Sequence, residues 1–340
     1  MLETPGTPPR APTIRDVAAA AGVSKSLVSL VVQGSDKVGP AKRAAVQAAI
    51  AALGYRPNAT ARHLSQRRTS TVGVLLNDLR NPWYVDCLEG LAAELGERGY
   101  RMYLGDSRLD SRTDDPLTQG FLDLPVDGLV LVGTMPLTER LHEAARLVPT
   151  VVAASRDVGL PGVDVIAGDD RAGATLAVDH LIALGHRRIA HIAGETGRFA
   201  EIRRESYLAA MDRHGLAPQV ETSDATEEGG YRAAVRLLSG ADRPTAVFAV
   251  NDVACIGAIS AADELGLDLP GQLSVVGFDN THLARLRQLW LTSVDIASHA
   301  VGRRAGEALL RRIERPDGAP ATETLLPATL HVRGSSVRPG

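Results

Sequence analysis

The sequence predicts a small all-α helix-turn-helix headpiece followed by an α/β body built as two lobes, with parallel sheets and helices on both faces. Three observations carry this. Charge is divided unevenly along the 340 residues: positions 1–68 hold ten Lys and Arg against three acids, while the rest hold 27 basic and 37 acidic side chains, and Lys25, Lys37 and Lys42 are the only lysines. Within the basic part, three helical patterns are punctuated by Gly22, Gly39–Pro40 and Gly54. Downstream, near-continuous aliphatic runs alternate with helix-length segments, the pattern of strands buried on both faces.

A basic module ahead of an acidic one suggests a polyanion-binding head on a larger body. The overall composition, 44% apolar and 23% charged, is ordinary for a globular protein. No apolar run is long enough to span a bilayer, so no membrane partner is expected. "MLETPGTPPRAPT" lacks a hydrophobic core; residues 1–12 read as a disordered tail, not a secretory leader. Cys87 and Cys255 lie in apolar stretches far apart and read as buried free thiols in a reducing, cytoplasmic setting.

In residues 13–57, Thr13 and Asp16 form a capping-box-like start, and Ile14, Val17 and Ala18 share one helical face. Gly22 ends this helix. Ser24 is a good cap for the second helix, "KSLVSLVVQ", whose Leu27, Val28, Val31 and Val32 supply apolar positions. Pro40 opens the third helix at a position where its missing N–H costs nothing, and Gly54 closes it. Two short helices joined by a tight glycine turn, with a third behind them, make a helix-turn-helix, which presents the start of its second helix to the major groove. Lys25 can donate to guanine or phosphate, Ser26 can donate or accept, and Leu27 can pack on a thymine methyl. A solvated helix start in a protein-binding bundle is the competing reading, and the basic balance favours DNA.

Residues 58–68 read as a hinge or linker. Asn58 can cap two helical turns in which Ala61 and Leu64 share a face. So short a helix is marginal in water; it is either a tether or a segment that folds on DNA and wedges Leu64 into a minor-groove step.

In residues 69–340, polar residues gather where strands end: Asn77 and Asp78, Asp169 and Asp170, Asn251 and Asp252, Asp279 and Asn280. Open α/β sheets bind ligands outside the carboxyl ends of their strands, so two facing lobes make a cleft. Asp169, Asp170 and Asp252 read equally well as helix caps or turn formers. His186 reads as a loop residue. No metal-ligand spacing, G-x-G-x-x-G, Walker loop or G-x-S-x-G elbow occurs, although "GETGR" after a strand superficially suggests phosphate binding. No enzyme, metal or cofactor is therefore expected. A transport binding protein would account for the body but not for the basic head.

The run "TIRDVAAAAGVSKSLVSLVVQGSDKVGPAKRAAVQAAIAALGYRPNATARHLSQRRTSTVGVLL" resembles the headpiece, hinge and first core strand of the lactose/galactose-repressor (LacI/GalR) family. "NDLRNPWYVDCLEGL", "HLIALGHRRIAHIAG", "PTAVFAVNDVACIGAI", "LSVVGFDNTHLARL" and "LPATLHVRGSS" extend the resemblance across a core of type I periplasmic-binding-protein fold. The resemblance implies a first lobe of about residues 69–167 and 296–326, and a second of about 168–295 and 327–340. It implies base reading by Lys25 and Ser26 with Leu27 beside them, and phosphate contacts from Thr13, Ser24, Ser29 and Gln33. Ala61 and Leu64 match the hinge pair. Leu30, where many members carry arginine, and Leu27, where a small residue or threonine is common, depart from the pattern, so the family's usual central operator bases are not assumed for this chain.

In the body the resemblance assigns effector contacts to Arg203, Asn251 and Asp279, with Asn77, Asn81, Trp83 and Tyr84 from the first lobe and Tyr231 from the second. Such a set suits a polyol: Asp279 accepts from hydroxyls, Arg203 offers a donor fork, and an aromatic face covers the ring. A ligand hydroxyl held between Asp279 and the Asn77 side would bridge the lobes. Tyr207, beside Ser206, reads as packing. The expected whole is a homodimeric regulator, on balance a repressor, that binds pseudo-palindromic operator DNA under control of a small effector such as a sugar.

Overall fold

The structure, a computed structural model, describes residues 12–32, 35–55, 69–107, 120–121, 123, 126–134, 138–156, 159–315 and 320–340. Gln33, Asn58, Ala61 and Leu64 lie outside the described residues. The chain divides into two compact units, residues 1–69 and 70–340.

The first unit holds α1 (Ile14–Ala20), α2 (Lys25–Val32) and α3 (Pro40–Leu53). Each boundary has a local cause. The Asp16 carboxylate accepts from both the N–H and the hydroxyl of Thr13, each at 2.7 Å, which ties down the start of α1. Gly22 takes φ +63°, a value that a side chain resists, so the chain turns sharply into α2. There the Ser24 hydroxyl accepts from the Leu27 N–H at 3.2 Å. Pro40 begins α3, and Gly54, left-handed at φ +60°, ends it. Val17, Ala18, Val28, Val31, Val38, Val46 and Ala49 form the core of the unit, with Leu27 and Leu30 half-buried against it. Leu30 thus takes part in packing this core.

The second unit contains two six-stranded sheets. The first combines β1 (Thr71–Leu76), β2 (Arg101–Asp106), β3 (Gly128–Val132), β4 (Thr150–Ala153), β5 (Asp164–Gly168) and β11 (Glu323–Leu326), in the order β11-β5-β4-β3-β1-β2. The second combines β6 (Ile189–Gly194), β7 (Gln219–Ser223), β8 (Ala246–Ala249), β9 (Ser274–Phe278), β10 (Thr292–Asp295) and β12 (Thr329–His331), in the order β12-β10-β9-β8-β6-β7. Every pairing is parallel except β12 on β10. "LPATLHVRGSS" thus contributes β12 to the second sheet, while β11 just before it completes the first. β2 is an edge strand whose Tyr103 and Leu104 are exposed, unlike the fully buried strand its apolar run suggests.

Helices α4 (Pro82–Glu97), α5 (Glu139–Leu147) and α10 (Ser298–Glu314) belong with the first sheet. Helices α6 (Asp170–Ala183), α7 (Arg198–Arg213), α8 (Glu227–Leu238) and α9 (Asp252–Glu264) belong with the second. The chain passes between the lobes three times, after β5, β10 and β11. One apolar core runs from Val72, Val130 and Leu91 through Val178 to Phe248 and Phe278. Others cover the opposite face of each sheet.

In each lobe two helices cross with backbones in contact. A Cβ on Gly90 would strike the His299 carbonyl, and one on Gly302 the Cys87 carbonyl, locking α4 to α10. In the second lobe a Cβ on Gly230 would strike Ala254, and one on Gly257 the Glu227 carbonyl, locking α8 to α9.

Candidate functional site

The strand ends that face each other across the lobes enclose a cleft. Its inner chamber, about 40 Å³, is lined by Asn81, Trp83 and Tyr84 from the first lobe and by Asp170, Phe199, Arg203, Asn251 and Asp279 from the second. It opens into a cavity of about 1050 Å³ that Asn77 also lines.

Asp279 follows the last residue of β9 with φ +97°, and Asn280 follows with φ +47°. Such backbone is costly for side-chain-bearing residues and persists only when its surroundings enforce it. Here they do: the Asn280 backbone N–H donates to the Ser293 hydroxyl at 3.0 Å, its side-chain amide Nδ2 to Asp295 at 2.9 Å, and Arg333 donates to its side-chain oxygen Oδ1 at 2.6 Å. The strained corner delivers the Asp279 carboxylate to the chamber.

Arg203, on α7, is nearly fully buried. Its Nε donates to Asp170 Oδ1 at 2.8 Å, a terminal nitrogen lies 3.4 Å from Asp279 Oδ1, and another donates to the Val250 carbonyl. Its guanidinium sits 3.6 Å over the Phe278 ring. Two buried carboxylates thus share one guanidinium. Burial pushes both acids above the usual carboxylate range, and Arg203 opposes that shift at each. The second oxygen of Asp279 accepts from the Asn81 amide at 3.3 Å, a direct bond from one lobe to the other.

Of the cleft residues singled out in the sequence, Asn81, Trp83, Tyr84, Arg203, Asn251 and Asp279 come together here. Asn251 also caps α9 by accepting from the Ala254 N–H at 2.8 Å, and its amide donates to the Ala225 carbonyl at 3.0 Å. Asn77 is turned inward: its amide donates to the Thr134 carbonyl, and its oxygen accepts from the Tyr84 hydroxyl at 3.0 Å. The first-lobe side chain that reaches Asp279 is therefore Asn81, not Asn77. Tyr231 is not brought to the chamber: it sits on α8, packs against the α8–α9 core, and donates to Glu264 at 2.6 Å. Asp169 caps α6, accepting from the Ala172 N–H at 3.0 Å, whereas Asp170 turns into the chamber. Phe199, in the first turn of α7, was missed, although a lone aromatic in the polar stretch that follows β6 was the available signal. Tyr207 packs, its hydroxyl donating to the Ile189 carbonyl at 2.8 Å. His186 is a buried loop residue held by Thr245 and the Val337 carbonyl.

Two buried groups behind the chamber titrate in opposite senses. His191 is stacked on Phe248 at 4.7 Å. Its Nδ1 lies 2.9 Å from the Phe248 carbonyl, which can only accept, so Nδ1 carries the proton. Burial lowers its pKa to about 4. Asp252 accepts from the Thr281 N–H and hydroxyl and from Ser293; burial, then the nearby charge of Asp279, raises it to about 7. Below about pH 6.5 the unfolded chain protonates His191 while the folded chain does not, so this residue costs up to about 3 kcal/mol as pH falls to 4. Above about pH 3.8 the unfolded chain ionises Asp252 first, which costs up to about 4 kcal/mol as pH rises to 7. The pH slopes of these two costs nearly cancel between pH 4 and 7. His191→Phe, which keeps the stack, is expected to unmask the acid: its stability should fall from pH 4 to 7 more steeply than that of the wild type. Parallel denaturation profiles for the two proteins would refute this.

In the first unit, Ser24, Lys25 and Ser26 are exposed at the start of α2, and Leu27, Ser29 and Thr13 are half-buried.

A three-helix unit with a basic second-helix start, joined to a two-lobed cleft domain, defines a ligand-responsive regulator of transcription. Residues 13–58 match the bacterial regulatory proteins, lacI family, and residues 178–336 the periplasmic binding protein-like domain. The HTH-type transcriptional repressor CytR of Escherichia coli strain K12 is 31% identical over 335 residues, covering 96% of each chain. The ribose operon repressor of the same strain is 35% identical over 314 residues, covering 89% of this chain and 94% of the relative. The crystal structure of the lac repressor dimer bound to operator and the anti-inducer ONPF superposes with a TM-score of 0.83 at 26% identity, covering 96% of this chain and all of that one. The chain belongs to the lacI family of bacterial regulatory proteins.

Proposed function

We propose that the protein is a repressor that binds a pseudo-palindromic operator as a homodimer, and that a small polyhydroxyl effector in the cleft sets its affinity for DNA. The observation that carries this reading is the pairing of an exposed Lys25–Ser26 helix start with a cleft whose Asp279 is bonded across to Asn81. A ligand biases DNA binding only if it interacts differently with two arrangements of the lobes, and a group that competes for Asp279 does so. The operator-bound dimer of the lac repressor and the naming of a relative for the ribose operon support DNA, dimer and sugar. The chamber offers carboxylates, amides and a guanidinium for binding, and no reaction is assigned to them. Among the described residues no helix is long and apolar enough to cross a membrane.

Lys25→Ala is expected to cost about 1–3 kcal/mol of discrimination at one position per half-site. Lys37→Ala should weaken all sequences about equally. Selection from randomised duplexes checks this: an unchanged sequence preference in Lys25→Ala would remove Lys25 as a reader, and one asymmetric half-site bound by a monomer would overturn the dimer.

A further inference from the structure

The charge inventory of the cleft goes further than a polyol requires. The inner chamber holds two carboxylates, Asp170 and Asp279, against the single guanidinium of Arg203, all three nearly fully buried. The larger cavity adds Asp78, Glu195, Asp224, Glu227 and Glu228 against Arg80 alone, with no lysine or histidine among its described lining residues. Part of that excess has local causes. Arg80 pairs with Asp78, Arg232 reaches Asp224 and Glu228 from outside the cavity, and Glu227 and Glu228 complement the start of α8. Glu195 and Glu227 have no ion-pair partner among the described residues. In the inner chamber Asp170 likewise lies in the first turn of its helix, α6, whereas Asp279, which follows β9, has no such local cause.

Two further observations bear on the ligand. Trp83, Tyr84 and Phe199 line the same chamber from both lobes, and aromatic faces combined with surplus carboxylate are the surroundings that an ammonium group prefers. Trp83 is 5% exposed, and its indole N–H is buried with no acceptor among the described residues. A buried donor left unpaired is costly, and a ligand oxygen would satisfy it.

We infer that the effector is a polyhydroxyl molecule bearing a protonated amine, an amino sugar in class, whose ammonium group meets the Asp170–Asp279 surplus while an oxygen accepts from Trp83. This rests on the reading of the cleft as the effector site. The ammonium completes a one-to-one balance of charge in the chamber, so binding favours it over the neutral sugar of the same shape. N-acetylation removes the charge and with it the advantage.

The test uses the full chain near pH 7 and matched probes: D-glucosamine and D-galactosamine, their neutral parents D-glucose and D-galactose, and N-acetyl-D-glucosamine. A ligand that binds the folded state raises the thermal unfolding midpoint, and calorimetry gives the affinity. The expected result is an amino sugar that binds about tenfold or more tightly than its parent and its acetylated form. Asp279→Asn, which neutralises the surplus, should remove that preference. Neutral sugars that bind as well as the amino sugars overturn the inference and leave the cleft reading standing. Silence from every amine probe overturns it too, with no variant needed. Binding of a neutral sugar that Asp279→Asn and Trp83→Phe both leave unchanged would place the ligand elsewhere and overturn the cleft reading as well.

Discussion

Replacing Arg203 by methionine is expected to lower the unfolding free energy by about 3–5 kcal/mol, because it leaves two buried carboxylates without their cation. The guanidinium bonds Asp170 at 2.7 and 2.8 Å, stands 3.4 Å from Asp279 and stacks on Phe278. Methionine keeps much of the volume and the stacking surface, so the loss reads the charge. The sign of the pH response separates this cause from simple mispacking. Burial already holds both acids above the ordinary carboxylate range, and without Arg203 they retain their protons to still higher pH. Stability of the variant should therefore recover as pH falls from 8 toward 5. Arg203→Lys should fall between, since it keeps the charge and loses the fork. The midpoint of urea denaturation at constant slope measures all three. A Met variant with the same deficit at pH 5 and pH 8 would show that packing, not charge, holds the site.

The second large effect is expected at Gly302. A valine there should cost about 3 kcal/mol or more, at or beyond the upper end of ordinary overpacking, because its Cβ meets the backbone of α4 at Cys87 and Leu91 rather than a side chain that can rotate away. The control lies one turn on. A Cβ on Gly306 would meet side chains alone, Glu94 at 3.0 Å and Leu91 at 3.4 Å, and exchanging a helical glycine for alanine returns about 1 kcal/mol of propensity. Gly306→Ala should thus be neutral to mildly stabilising. Equal losses at the two sites would refute the distinction between backbone and side-chain contact.

Much of the architecture was legible because it is written locally. The capping pair Thr13–Asp16, the turn at Gly22, Pro40 and Gly54 each specify a helix end within a few residues of themselves. The strand ends were equally readable, since Asn81, Asp169 and Asn251 cap the helices that follow them. What those ends face was not. Asp169 and Asp170 are adjacent and chemically identical, yet one caps a helix and the other pairs with Arg203 33 positions away. Only tertiary packing makes that distinction. Tyr231 shows the same limit in reverse: the helical rotation of α8 carries it to the α9 side. β7 and β10, short and rich in polar residues, lacked the aliphatic run that marked their neighbours.

The glycine crossing of α4 on α10 also determines how stiffly the first lobe answers its ligand. Asn81, which touches Asp279 across the cleft, is the N-cap of α4. From that residue a rod of 16 residues, about 24 Å, runs back through the lobe. Its join to α10 is backbone against backbone at Gly90 and Gly302, with no layer of rotatable side chains to take up movement. Close-packed interiors compress little and transmit strain. A tug at Asn81 is therefore carried by α4 and α10 as one strut and delivered to the 295–298 crossover where α10 begins, instead of dissipating in the lobe.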